Sequence, residues 1–185
     1  MIAPQEFKKR WERLGDRLIM FPEISLCDVL LPATARTFLR EAGLPEDAAP
    51  GLNFGTPQSG SLPRASILWR LPTAFDRYRI IGGNGSGDSV CLDEDANAQV
   101  VYLNHDNDFD RVLMASSVCT LAECLAELRD VIARTSDTGL VAPEHYDQLL
   151  ERLRIIDPAA CDNDGFWPAE ISSLKPQPPK KWWHL

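Results

Sequence analysis

Long apolar runs are missing from this chain of 185 residues. None approaches the roughly 18 consecutive apolar residues that a bilayer-spanning helix needs. Met1–Arg10 is polar and basic, with no apolar segment behind it of the kind a secretory leader carries. The sequence therefore predicts a cytoplasmic protein with no membrane partner. Histidine is scarce: there are three, His105, His145 and His184, and their spacing defines no Ser/His/Asp or Cys/His pairing. Ser116 and Ser117 lack the G-x-S-x-G surroundings of a nucleophile elbow. The five cysteines, Cys27, Cys91, Cys119, Cys124 and Cys161, include no C-x-x-C pair, which argues against a zinc knuckle or a disulfide framework and for buried free thiols. Finally, no Lys or Arg occurs between Asn84 and Asp110.

That last gap marks the most informative stretch of the chain. Within it stand seven carboxylates, Asp88, Asp93, Glu94, Asp95, Asp106, Asp108 and Asp110, so a negative local field is expected. The whole chain carries −8, and three lysines without an acid in its last eleven residues leave residues 1–174 at −11. Such a body is not drawn to phosphate backbones, which disfavours direct nucleic-acid binding. A basic protein surface suits it better. With 44% apolar residues, a chain of this length can bury the core of one domain.

Apolar periodicity sets the expected elements. Phe7, Trp11, Leu14 and Leu18 recur at helical spacing over residues 5–19. Pro32 in a first turn, Phe38 and Leu39 on an apolar face, and Gly43 before Pro45 define a second, short helix. Residues 51–63, rich in Gly, Pro and Ser, read as a loop. Strands are expected at 65–71 (ASILWRL), 77–81, 89–92, 98–103 and 111–115. The run AQVVYL is apolar on both alternating faces, so that strand should be central and helices should cover the sheet. Leu121, Cys124, Leu125, Leu128 and Ile132 make a helical stripe behind Thr120 and Glu123, spaced as a capping box. Tyr146, Leu149, Leu150, Leu153 and Ile156 make another between Pro143 and the Asp157-Pro158 break. GFWPAEI and KPQPPKKWWHL read as irregular or extended. The expected organisation is one α+β domain over residues 1–174 and a proline-rich, basic and aromatic tail over 175–185.

Three chemical motifs are approached and missed. Gly82 and Gly87 have phosphate-loop spacing, but Asp88 stands where a lysine should reach the phosphates, and a strand follows instead of a helix. Asp93, Asp95 and Asn97 begin a calcium-loop pattern that fails at Ala98 and Asn104. His105 with Asp106, Asp108 and Asp110 offers metal-ligand chemistry, yet neighbouring residues of one loop rarely converge on one ion. No catalytic, cofactor or metal residue is assigned.

In order and spacing these features resemble the SUKH superfamily, specifically its bacterial immunity-protein branch. The likeness rests on Leu31-Pro32 with Phe38, Leu39 and Gly43-Leu44-Pro45; on Ile81-Gly82 through Gly87-Asp88; on Cys91-Leu92-Asp93; on Val101-Tyr102 with Asp106; and on Ser116-Ser117 with Leu121 and Leu125. Phe166-Trp167 matches a late aromatic pair, while Ala115 departs from the Asn often found there. The resemblance implies an α+β domain whose mainly antiparallel central sheet, of about five strands, is packed by N-terminal and C-terminal helices. It further implies a non-enzymatic protein without cofactors that binds and neutralises a cognate polymorphic toxin, of nuclease or deaminase type, in the cytoplasm of the producing bacterial cell. On that reading Asp88, Asp93, Glu94, Asp95, Asp106, Asp108 and Asp110 are the candidate partner-binding residues, facing a basic active-site cleft. The alternative is a regulatory protein–protein interaction adaptor of the same superfamily, using its sheet or its tail.

Overall fold

A computed structural model describes residues 1–12, 15–136, 143–162 and 165–174. Helix α1 (Pro4–Glu12) starts with proline in its first turn and buries Phe7 and Trp11, one turn apart. It does not continue to Leu18 as the spacing predicted. Gly15 takes a left-handed φ of +83°, and Leu18 belongs to β1 (Leu18–Ile19); Leu14 lies outside the described residues. After the single turn α2 (Glu23–Leu26), α3 (Ala33–Glu41) buries Phe38 and Leu39. Gly43 then sits at φ +73°, where an added Cβ would lie 2.1 Å from the Ile19 carbonyl oxygen. The helix stop and the pairing of β1 with β2 (Leu44–Pro45) therefore both depend on this glycine.

The main sheet is a six-stranded antiparallel meander, β3 (Asp47–Ala48), β4 (Leu52–Phe54), β5 (Tyr78–Gly83), β6 (Ser89–Asp93), β7 (Gln99–Asn104) and β8 (Asp110–Ala115), with neighbours in chain order. The last four strands fall where alternation placed them. The first two are short pieces, and β4 lies in the stretch read as a loop. The run ASILWRL is not a strand but helix α4 (Ala65–Trp69). Ala65 and Trp69, four apart, both turn inward, leaving Ile67 and Leu68 in solvent, and Arg70 at φ +56° ends the helix. A short apolar run does not distinguish the two periods by itself; the inward anchoring of Trp69, whose Nε1 donates to Ser89 Oγ at 2.8 Å, decides it.

The two faces of the sheet are covered unequally. Val90, Leu92, Val100 and Met114 face the large core built with α1, α3, α5 (Val118–Ser136), α6 (Pro143–Ile156) and α7 (Phe166–Leu174). Tyr78, Cys91, Val101 and Leu103 face a smaller layer of Ala65, Trp69, Phe75 and Phe109. Strand β7 is covered on both sides as predicted, although one side carries a short helix and loops. Strand β6 is buried throughout.

The C-terminal helices correct two expectations. Helix α5 is capped one turn earlier than the Thr120/Glu123 pattern suggested: the Thr120 amide donates to Ser117 Oγ and the Ser117 amide to Thr120 Oγ1, at 3.1 and 3.0 Å. Glu123 instead pairs with the Met1 ammonium at 3.2 Å. GFWPAEI is not irregular but opens α7, because Pro168 falls in the first turn, where it costs no hydrogen bond. Phe166, Trp167 and Ile171 are buried there, and Trp167 Nε1 donates to the Met114 carbonyl at 3.0 Å. Asp157, at the break after α6, is also buried and accepts from the Ser116 amide and hydroxyl at 2.6 and 2.8 Å, tying α6 to the start of α5. Four cysteines are buried as expected, whereas Cys27 is exposed. Among the described residues no helix is long and apolar enough to cross a membrane. The 175–185 tail lies outside them.

Candidate functional site

The seven acids are carried by three consecutive connections of the meander, and register sorts them into two groups. Ser89 pairs with Leu103 at one end of β6, and Asp93 pairs with Gln99 at the other. Asp88, Asp106, Asp108 and Asp110 therefore lie at the end formed by the β5–β6 turn and the β7–β8 loop. Asp93, Glu94 and Asp95 lie at the opposite end, about 13 Å away along a five-residue strand.

At the β6–β7 end the acids are held by arginines from outside the cation-free stretch. Asp93 has no solvent exposure and accepts from Arg77 Nε and Nη2 at 2.6 and 2.7 Å and from Arg111 Nε at 3.0 Å. For Arg77, burial works against the charge, but the bonds to Asp93 outweigh it and hold the guanidinium above its ordinary pKa. Glu94, 8% exposed, accepts from Arg79 Nε at 3.0 Å and from the Leu30 amide at 2.7 Å. Arg79 is itself buried and also donates to the Asp28 and Leu62 carbonyls. Asp95 is the open member, 64% exposed and 3.3 Å from Arg77 Nη1. The turn closes through Asn97 and Ala98, both at positive φ. The field at this end is thus largely neutralised, contrary to the expectation from local composition.

The other end keeps its charge outward. In the β5–β6 turn Asn84 Oδ1 accepts from the Ser86 and Asp88 amides, and Gly87 takes φ +90°. Asp88 is buried, its carboxylate accepting from the His105 amide at 3.0 Å, His105 Nδ1 at 2.7 Å and Asn84 Nδ2 at 2.8 Å. Burial alone would raise its pKa; the hydrogen bonds from the His105 amide, the Asn84 side chain and the imidazole prevail and hold it below the ordinary value. Asp106 is 84% exposed, with one oxygen 3.4 Å from His105 Nε2. Asp108 and Asp110 are also exposed, and Asp110 accepts from Asn107 Nδ2 at 2.6 Å. Asp108 and Phe109 take left-handed φ values of +47° and +59°. Beneath the loop, Trp69 stacks on His105 and meets Phe109 edge-on, with centroids 5.8 and 5.3 Å apart.

Composition named the acids but not their partners. Arg77, Arg79 and Arg111 flank the cation-free stretch on both sides, and that flanking was the available signal. Trp69 packs inward from a helix, where the sequence predicts a strand. Among the described residues no group of three or more His, Cys, Asp or Glu side chains is placed to hold a metal ion. The arrangement is an antiparallel scaffold: buried carboxylates brace its turns, and the exposed ones stand at the β7–β8 connection and, as Asp95, on the β6–β7 turn.

Fold and site together define an α+β scaffold that presents polar loops from a helix-backed meander. A family profile described as SUKH-4 immunity protein matches residues 9–173. The chain belongs to that family, and so to the SUKH superfamily that the motif order resembled. Neither a search of curated proteins nor one of solved structures returns a match.

Proposed function

We propose that this chain is a non-catalytic immunity protein that binds a cognate polymorphic toxin in the cytoplasm of the producing bacterium and blocks it stoichiometrically. The observation that carries the reading is the family match over residues 9–173. The toxin is of nuclease or deaminase type, since an enzyme that handles nucleic acid needs a basic cleft, and an anionic loop both speeds encounter with such a cleft and can occupy it. Within the seven candidate residues the work divides. Asp106, Asp108 and Asp110, with Asp95 at the far end, meet the partner; Asp88, Asp93 and Glu94 fix the backbone that presents them. Preorganisation of this kind lowers the ordering cost of binding. The same negative charge keeps the protein off nucleic acid itself.

The test is to read the neighbouring genes for a polymorphic toxin and to co-express its toxin domain with this chain. Restored growth and a stoichiometric complex on gel filtration are expected. Continued toxicity with no complex would overturn the reading.

A further inference from the structure

We propose that His105 is a pH-dependent latch on the β7–β8 loop: as imidazolium it bridges Asp88 and Asp106, and on losing its Nε2 proton to solvent it releases Asp106. The geometry is a ring held on three sides. Asp88, from the β5–β6 turn, accepts hydrogen bonds from His105 Nδ1 at 2.7 Å and from the His105 amide at 3.0 Å. Asp106, from the ring's own loop, stands 3.4 Å from Nε2. Trp69 of α4 lies nearly parallel to the ring, at an interplanar angle of 14°, and brings no charge. Deprotonation leaves the hydrogen on Nδ1, because the buried Asp88 carboxylate needs that donor. The bare Nε2 lone pair then faces a carboxylate, and the attraction that held Asp106 becomes repulsion.

The hydrogen bond to Asp88 raises the imidazole pKa; burial opposes it, and the charges of Asp106 and Asp88 reinforce it. The sign follows. The latch is fully closed below the ordinary imidazole value of about 6.5 and opens as pH rises through the raised one. Opening adds one net negative charge to the loop and frees an exposed carboxylate. The latch is a property of the isolated protein; its bearing on capture of a cationic partner rests on the proposed function.

The test is an NMR titration of the His105 ring nitrogens and of the amides of residues 84–88 and 104–110 in the unbound protein. In the wild type, amides in both connections should shift with the ring. Asp106→Asn, a change at an 84% exposed site, should lower the His105 midpoint. An unchanged midpoint in that variant, or loop amides that stay flat through the ring titration, would overturn the latch while leaving the immunity reading standing.

Discussion

Replacing Asp93 by alanine separates two accounts of the acidic turn. If Asp93 were a surface acid, its loss would cost at most about 1 kcal/mol. It is instead fully buried, and its removal strips three N–H contacts from Arg77 and Arg111. Deleting one partner of a buried ion pair costs about 3–5 kcal/mol. Both arginine side chains keep 32% of their surface in solvent and can partly rehydrate, while Arg77 retains Asp95 and Arg111 retains Gln99. The expected loss is therefore about 2–4 kcal/mol. With a urea m-value of about 2 kcal/mol/M, the unfolding midpoint should fall by roughly 1–2 M. Asp95→Ala, at the exposed end of the same cluster, should cost less than about 1 kcal/mol. Equal losses for the two variants would refute the assignment of Asp93 as the organiser of this turn.

Two further changes test the scaffold. Gly82→Ala would place a Cβ 2.1 Å from the Asn53 carbonyl oxygen and force β4 from β5, whereas Gly85→Ala meets nothing closer than 3.8 Å. The first should lower Tm by about 5 °C or more and the second should leave it nearly unchanged, as read by calorimetry. Asp157→Ala removes two hydrogen bonds and a negative charge from the start of α5, so denaturant unfolding should show a loss of about 2–3 kcal/mol, much of it restored by asparagine.

Much of the fold was legible because the α3, α5 and α6 stripes repeat at helical spacing and β6 and β7 are apolar on both faces, and burial writes such patterns into the sequence. The misreadings have physical causes. ASILWRL is too short to fix a period, and Trp69 is held inward by Ser89 and the ring of His105, residues distant in the chain. GFWPAEI reads as irregular by composition, yet Pro168 in a first turn is compatible with a helix. The α5 cap moved because Ser117 and Thr120 satisfy each other, freeing Glu123 for the N-terminus. At the site, the acids were visible but their burial was not. Asp93 and Glu94 are neutralised by Arg77, Arg79 and Arg111, whose approach depends on strand register and not on local charge.

The central claim is that the exposed carboxylates of the β7–β8 loop draw a cationic protein partner. Its most direct test is the association rate with the toxin domain that the chain is found to neutralise, measured by stopped flow across a salt series for wild type and for the combined Asp106→Asn, Asp108→Asn and Asp110→Asn variant. The account predicts a wild-type rate that falls steeply with salt and a slower, flatter dependence in the variant. Identical rates and slopes for the two proteins would contradict it.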